Sequence, residues 1–282
     1  MTHGVMGVVC CPMVDDNLVY SITNDRDEKS ITIVRNGNEG SITRKLDKAG
    51  VTYDTIFWQD VVKRTYVPKD GFNILIVMIS LGLHARPDVL KSTVEDLTKT
   101  MQGVSDTIGF YLGTCGNYGW NIPKWCASNG YKPAFTFCDC NGNVCDDCVG
   151  INVAGGPRYM EMEKKYTGYL YVFPAMALNY DDFMNADKSE SLKIENSITD
   201  EMREELGIEP GPDGYMRWLL RLGNYEHILK IDTGIGDREN FDKNVSVVAK
   251  RTALSVKVAE DGWASLQPTD DLYKNCKSKL PQ

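Results

Sequence analysis

The stretch NILIVMISLGLHARPDVLKSTVEDLTKTMQGVSDTIGFYL, residues 73–112, decides the fold. It opens on a near-continuous apolar run at 73–79 and closes on a second at 107–112. Neither run alternates polar with apolar residues, so each is expected to be covered on both faces, as strands of a parallel sheet are. Between them, 87–101 reads as a helix. Pro87 has the fixed φ that suits a first turn, and the pattern stops before Gly103. Strand, helix, strand is the repeating unit of an open parallel sheet, and strand twist makes its crossover right-handed.

The same grammar extends outward. Strand-like runs recur at 5–10, 31–34, 133–137, 227–231 and 255–258, with helical patterns at 15–24, 41–49, 120–128 and 237–252. Asp15 and Asp16 favour a helix N-terminus, Gly50 a helix end, and Thr233 or Asp237 a cap for the last of these helices. The expected fold is α/β, one domain over 1–282, with an open, mostly parallel sheet and helices on both faces. Residues 157–225 break the pattern. They carry helical signals and no strand, including a charged amphipathic run at 188–206 and a turn cluster at 209–214. This stretch is expected to form a helical insertion or subdomain in the second half. Its aromatics, Tyr166, Tyr169, Tyr171, Phe173 and Tyr180, suit either core or the lining of a pocket for a flat cofactor.

Composition narrows the function. The net charge of −8 disfavours nucleic acid and anionic membrane, both of which call for clustered Lys and Arg. No run approaches the roughly 18 apolar residues of a membrane span, and the N-terminus has no basic region or small-residue cleavage site. A cytoplasmic location is expected. The cysteines number nine, at 10, 11, 115, 126, 138, 140, 145, 148 and 276. An odd count without an export signal points away from disulfides and toward metal or thiol chemistry.

Cys138, Cys140, Cys145 and Cys148 fall within eleven residues, spaced C-x-C-x4-C-x2-C, with Gly142 to turn the loop. Soft thiolate ligands suit Zn²⁺ or an iron–sulfur cluster, although the spacing matches neither the zinc-ribbon nor the common ferredoxin pattern. The alternative is a surface loop of free thiols. Asp139, Asp146 and Asp147 oppose thiolate formation unless a cation is present.

A second grouping follows from the fold, because open α/β sheets bind ligands beyond the carboxyl ends of their strands. Cys10 and Cys11 end the first strand, Cys115 follows the strand at 107–112, Cys138 follows 133–137, and His84 follows 73–79. These side chains are expected at one sheet edge, as ligands or, for cysteine, as buried core. The turn from Gly113 through Cys115 and Gly116 to Gly119 exposes backbone N–H groups that either cradle an anion or simply present Cys115. Asp232, Thr233 and Gly234 close another strand and are candidates for a polar ligand. No serine-hydrolase elbow, zincin His pair, kinase signature or corrinoid-binding Asp-x-His-x-x-Gly motif is present in the sequence.

The strand ending in Cys, Leu83-His84-Ala85-Arg86-Pro87, Tyr111-Leu112-Gly113-Thr114-Cys115-Gly116, Cys138, and the run from Asn224 and Tyr225 to Asp232, Thr233 and Gly234 together resemble a family of unknown function, number 1638, of methanogens and other anaerobes. The likeness runs from the first strand to about Trp263. It implies shared strand-end cysteines and the turn around His84. It also implies an association with corrinoid-dependent methyltransferases or corrinoid proteins. The Cys140, Cys145 and Cys148 loop looks like an elaboration of the family pattern.

The expected function is therefore a cysteine-ligated iron–sulfur or Zn²⁺ protein, accessory or enzyme, in anaerobic one-carbon or corrinoid-dependent methyl transfer. Two alternatives stand beside it. One is a non-catalytic scaffold of a methyltransferase complex with a structural metal. The other is a small-anion-binding α/β protein without metal.

Overall fold

The computed structural model describes residues 2–184 and 188–281, with the side chains of 188–192 left out of the description. The chain divides into two compact units. One runs up to Tyr159 and resumes at Ser265, and the other is Met160–Ala264.

The first unit holds β1 (Gly4–Cys10), β2 (Ser30–Arg35), β3 (Asp54–Phe57), β4 (Phe72–Met78), β5 (Thr107–Tyr111) and β6 (Ala134–Thr136). They form a six-stranded sheet in the order β3-β2-β4-β1-β5-β6, and every pairing is parallel. The open parallel α/β sheet is thus as the apolar runs imply. Side-chain alternation along β1 explains the two layers. Met6, Val8 and Cys10 face helices Asp15–Asn24, Gly40–Lys48 and Gln267–Lys277, through Leu18, Ile22, Ile42, Leu46 and Leu272. Val5 and Val9 face helices Pro87–Met101 and Ile122–Ser128, through Leu90, Val94, Met101 and Ile122.

Salt bridges fasten the first layer. Lys45 Nζ lies 2.5 Å from Asp15 Oδ1 and 2.6 Å from Asp16 Oδ1, joining two helices. Lys277 and the Tyr273 hydroxyl both bind the Asp25 carboxylate and draw the C-terminal helix onto the first one.

The second unit contains a parallel sheet of its own, β7 (Tyr169–Val172), β8 (His227–Lys230) and β9 (Ser255–Val258), in that order. The strands at 227–230 and 255–258 therefore belong to a separate sheet. β7 lies inside 157–225, where helices alone were expected. The pattern Tyr-Leu-Tyr-Val is a strand whose Tyr171 and Val172 are buried. The expected helix at 188–206 is two helices, Lys188–Ser197 and Asp200–Leu206. They part where the Thr199 hydroxyl accepts a cap bond from Met202 N. The helix expected from 237 begins at Phe241, so neither Thr233 nor Asp237 caps it. β3 also went unforeseen. It is a short edge strand, and most of its residues are exposed.

Ile76 sits fully buried on β4 between β1 and β2. Ile76→Ala is expected to cost about 2–5 kcal/mol, read as a lower urea midpoint with an unchanged slope.

Candidate functional site

The connection leaving β1 runs over one face of the sheet to β2, and that leaving β5 runs over the other face to β6. β1 and β5 are neighbours, so their carboxyl ends flank the point where the chain diverges. Such a divergence opens the crevice in which doubly wound sheets hold ligands. Cys11 lies on one lip, tied down by its N–H donating to Tyr111 O at 2.8 Å, and Cys115 lies on the other.

Cys115 has φ of +40°, in the left-handed region that a side chain rarely adopts, and Gly116 follows at +81°. The turn is built against residues 146–147. Cys115 N donates to Asp146 O at 3.0 Å, and Thr114 Oγ1 donates to the same oxygen at 3.2 Å. A Cβ at Gly113 would meet Asp146 O at 2.7 Å and Asp147 Cα at 2.8 Å, so only glycine lets the two backbones approach this closely. One at Gly116 would meet the Pro87 ring at 2.8 Å. The N–H groups of Cys115 and Asn117 are both spent on protein carbonyls, so this turn presents Cys115 more than it cradles an anion.

The close approach carries the cysteine loop to the crevice. Asp139, 5% exposed, organises that loop. Its Oδ1 accepts from Asn141 N and Asn143 N at 2.9 Å each, and Gly142 takes φ of +81°. Despite partial burial, these hydrogen bonds hold the Asp139 carboxyl below its ordinary pKa. The four loop thiols do not converge. Cys140 is exposed, Cys138 is half-buried, Cys145 is sealed in the core, and Cys148 opens the short helix Cys148–Asn152. The Asp147 carboxylate caps this helix by accepting from Gly150 N at 2.7 Å.

Of the strand-end candidates, Cys10 is fully buried in the layer beneath β1, and His84 sits half-buried in the 3-10 turn Leu81–Ala85. Cys11 and Cys115 follow the ends of the neighbouring strands β1 and β5, and Cys148 opens the helix just after the Asp146 contact to Cys115. Their charges raise one another's pKa, Cys148 through both other thiols and Cys11 through Cys115. Cys138 and Cys145 form a separate neighbouring pair. Among the described residues, no three His, Cys, Asp or Glu side chains stand in a ready-made metal cage.

Electrostatics keep these thiols protonated at neutral pH. Burial pushes Cys11 and Cys115 to about 12. Cys148 is raised well above its ordinary value by burial, then by Asp147 and by the other two thiols. Burial also raises the Asp15 and Asp147 carboxyls. Lys45 loses solvation on burial, yet Asp15 and Asp16 outweigh that loss and raise its pKa. One lysine faces the buried carboxyl groups of both Asp15 and Asp16. Lys45 carries no local mark of this role, because nothing near it in sequence links it to Asp15, and the two aspartates read simply as helix-start residues.

Asp232, Thr233 and Gly234 follow β8 in the second unit. Asp232 makes a two-pronged pair with Arg238 and accepts from Gly234 N at 2.9 Å, which closes the turn internally. The aromatic run is mostly core, with Tyr171, Phe173 and Tyr180 buried and Tyr166 edge-on to Tyr169.

Among the described residues, no helix is long and apolar enough to cross a membrane. A family model described as "Protein of unknown function (DUF1638)" matches residues 78–269. No curated protein and no solved structure matches the chain.

Two measurements check this geometry. Gly113→Ala should cost about 1–3 kcal/mol by chemical denaturation, because the added methyl meets backbone that cannot rotate away. The raised thiols also set a pH dependence. They release their protons near 9 when unfolded and only near 12 in the fold, so their contribution is complete below pH 9 and is lost as pH rises toward 12. The urea midpoint should fall across that window, and less steeply in Cys115→Ser. A flat profile would contradict the burial of these thiols.

Proposed function

Starting from the chain's membership of the DUF1638 family, we propose that it is a thiophilic-metal protein whose centre, Zn²⁺ or an iron–sulfur cluster, is held by Cys11, Cys115 and Cys148. What supports this reading is that Cys11 and Cys115 follow the ends of the neighbouring strands β1 and β5, that Cys148 opens the helix just after the Asp146 contact to Cys115, and that the three thiols influence one another electrostatically.

The charge balance favours a cation there. Protonated thiols in that setting are poor nucleophiles, which argues against simple redox exchange. A bound metal ion supplies the positive charge that turns thiols into thiolates. Three protein ligands leave a coordination position open, the arrangement of catalytic rather than structural zinc sites. A metal in such a site activates a bound thiol or water as a Lewis acid, and an iron–sulfur cluster there carries an electron. The link to corrinoid-dependent methyl transfer rests on the family resemblance and gives the proposal its substrate class, a methyl donor or its thiol acceptor. The protein partner it suggests is a corrinoid protein or methyltransferase. The same charge balance argues against the small-anion alternative.

Elemental analysis and visible spectra of protein purified without oxygen test the proposal. Bound zinc or iron near one centre per chain is expected. Cys11→Ser, Cys115→Ser and Cys148→Ser should each weaken retention about tenfold or more, while Cys140→Ser leaves it unchanged. A chain that neither carries nor takes up metal overturns the reading.

A further inference from the structure

We propose, independently of the thiol site, that β9 is a docking edge for a second copy of this chain. The two β9 strands pair antiparallel about a two-fold axis and join two three-stranded sheets into one. All four residues of β9 are exposed, including Val256 at 39% and Val258 at 69%. At the opposite edge of the same sheet, Tyr171 and Val172 of β7 are buried.

The ladder fixes which main-chain groups face outward. Ala259 N donates to Lys230 O at 2.9 Å. Lys230 is in register with Val258, so that bond turns the main-chain groups of Ser255, Lys257 and Ala259 toward β8. Val256 and Val258 turn theirs to the open edge. Exposed edge strands are usually guarded by charges, a bulge or proline. β9 carries one charge, Lys257, and no proline.

The side chains show what fits that edge. Two copies of one strand related by a closed two-fold axis pair antiparallel. Ala253, at φ of +59°, ends the extended run, so pairing begins at Leu254. Centred on Val256, the pairing sets Val256 against Val256, Leu254 against Val258, and Ser255 against Lys257 of the other copy. Apolar side chains then meet on one face, and a hydroxyl meets an ammonium on the other. Centred one residue earlier, it leaves Val258 past the end. One residue later it opposes Lys257 to Lys257, and two later Val256 to Glu260. The strand is therefore complementary to itself in the register centred on Val256.

The test is sedimentation of the full chain from about 1 to 100 μM, where a monomer–dimer equilibrium is expected. Val256→Pro removes an outward N–H and spares the bonds to β8, so it should weaken dimerisation about tenfold or more. Leu254→Lys and Val258→Glu should each weaken it about tenfold, and the double variant should recover most of the loss, because the two new charges face each other across the axis. Circular dichroism melts of the dilute variants show that each monomer is folded. A dimer indifferent to Val256→Pro, or a double variant no tighter than its parents, overturns the proposal. A chain that stays monomeric throughout overturns it too, and leaves the edge to a strand of some other protein.

Discussion

The carbonyl of Asp146 accepts hydrogen bonds from Cys115 N and from the Thr114 hydroxyl, and the rest of the site depends on that clasp. It works because Gly113 has no side chain to keep the strand-end turn and the cysteine loop apart. Through it a segment that starts some thirty residues later reaches the crevice between β1 and β5. Cys148 follows two residues after that contact, within electrostatic reach of Cys115 and Cys11. The backbone of Cys115 belongs to the same arrangement, since a turn this tight holds it at an unfavourable φ of +40°.

Charge gives the clasp a chemical meaning. Burial alone would leave three neutral thiols, a common filling for a protein interior. Asp15, Asp16 and Asp147 change the balance, because carboxylates held in poor solvent repel further negative charge and attract positive charge. Lys45 answers part of that demand in the first unit. In the proposed reading a soft cation at the thiols would answer the remainder.

Much of the fold was legible because parallel strands covered on both faces leave near-continuous apolar runs, as at 73–79 and 107–112. β3 was not, since an exposed edge strand has no core face to mark it, and β7 was hidden because Tyr169–Val172 reads equally as an aromatic cluster. The assignment of 227–230 and 255–258 to a second sheet was also out of reach, because apolar runs announce strands without saying which strands pair. For the site, strand-end position located Cys11 and Cys115 correctly at one edge. Spacing alone suggested that the four loop thiols would meet. In fact Asp139 turns the loop so that Cys140 faces solvent and Cys145 enters the core. Lys45 acts through contacts distant in sequence, which nothing local announces.

The most direct measurement is X-ray absorption fine structure at the zinc edge of the chain loaded with one equivalent of Zn²⁺. The account predicts about three sulfur neighbours at roughly 2.3 Å, falling to two in Cys148→Ser. A first shell of nitrogen and oxygen alone would contradict it.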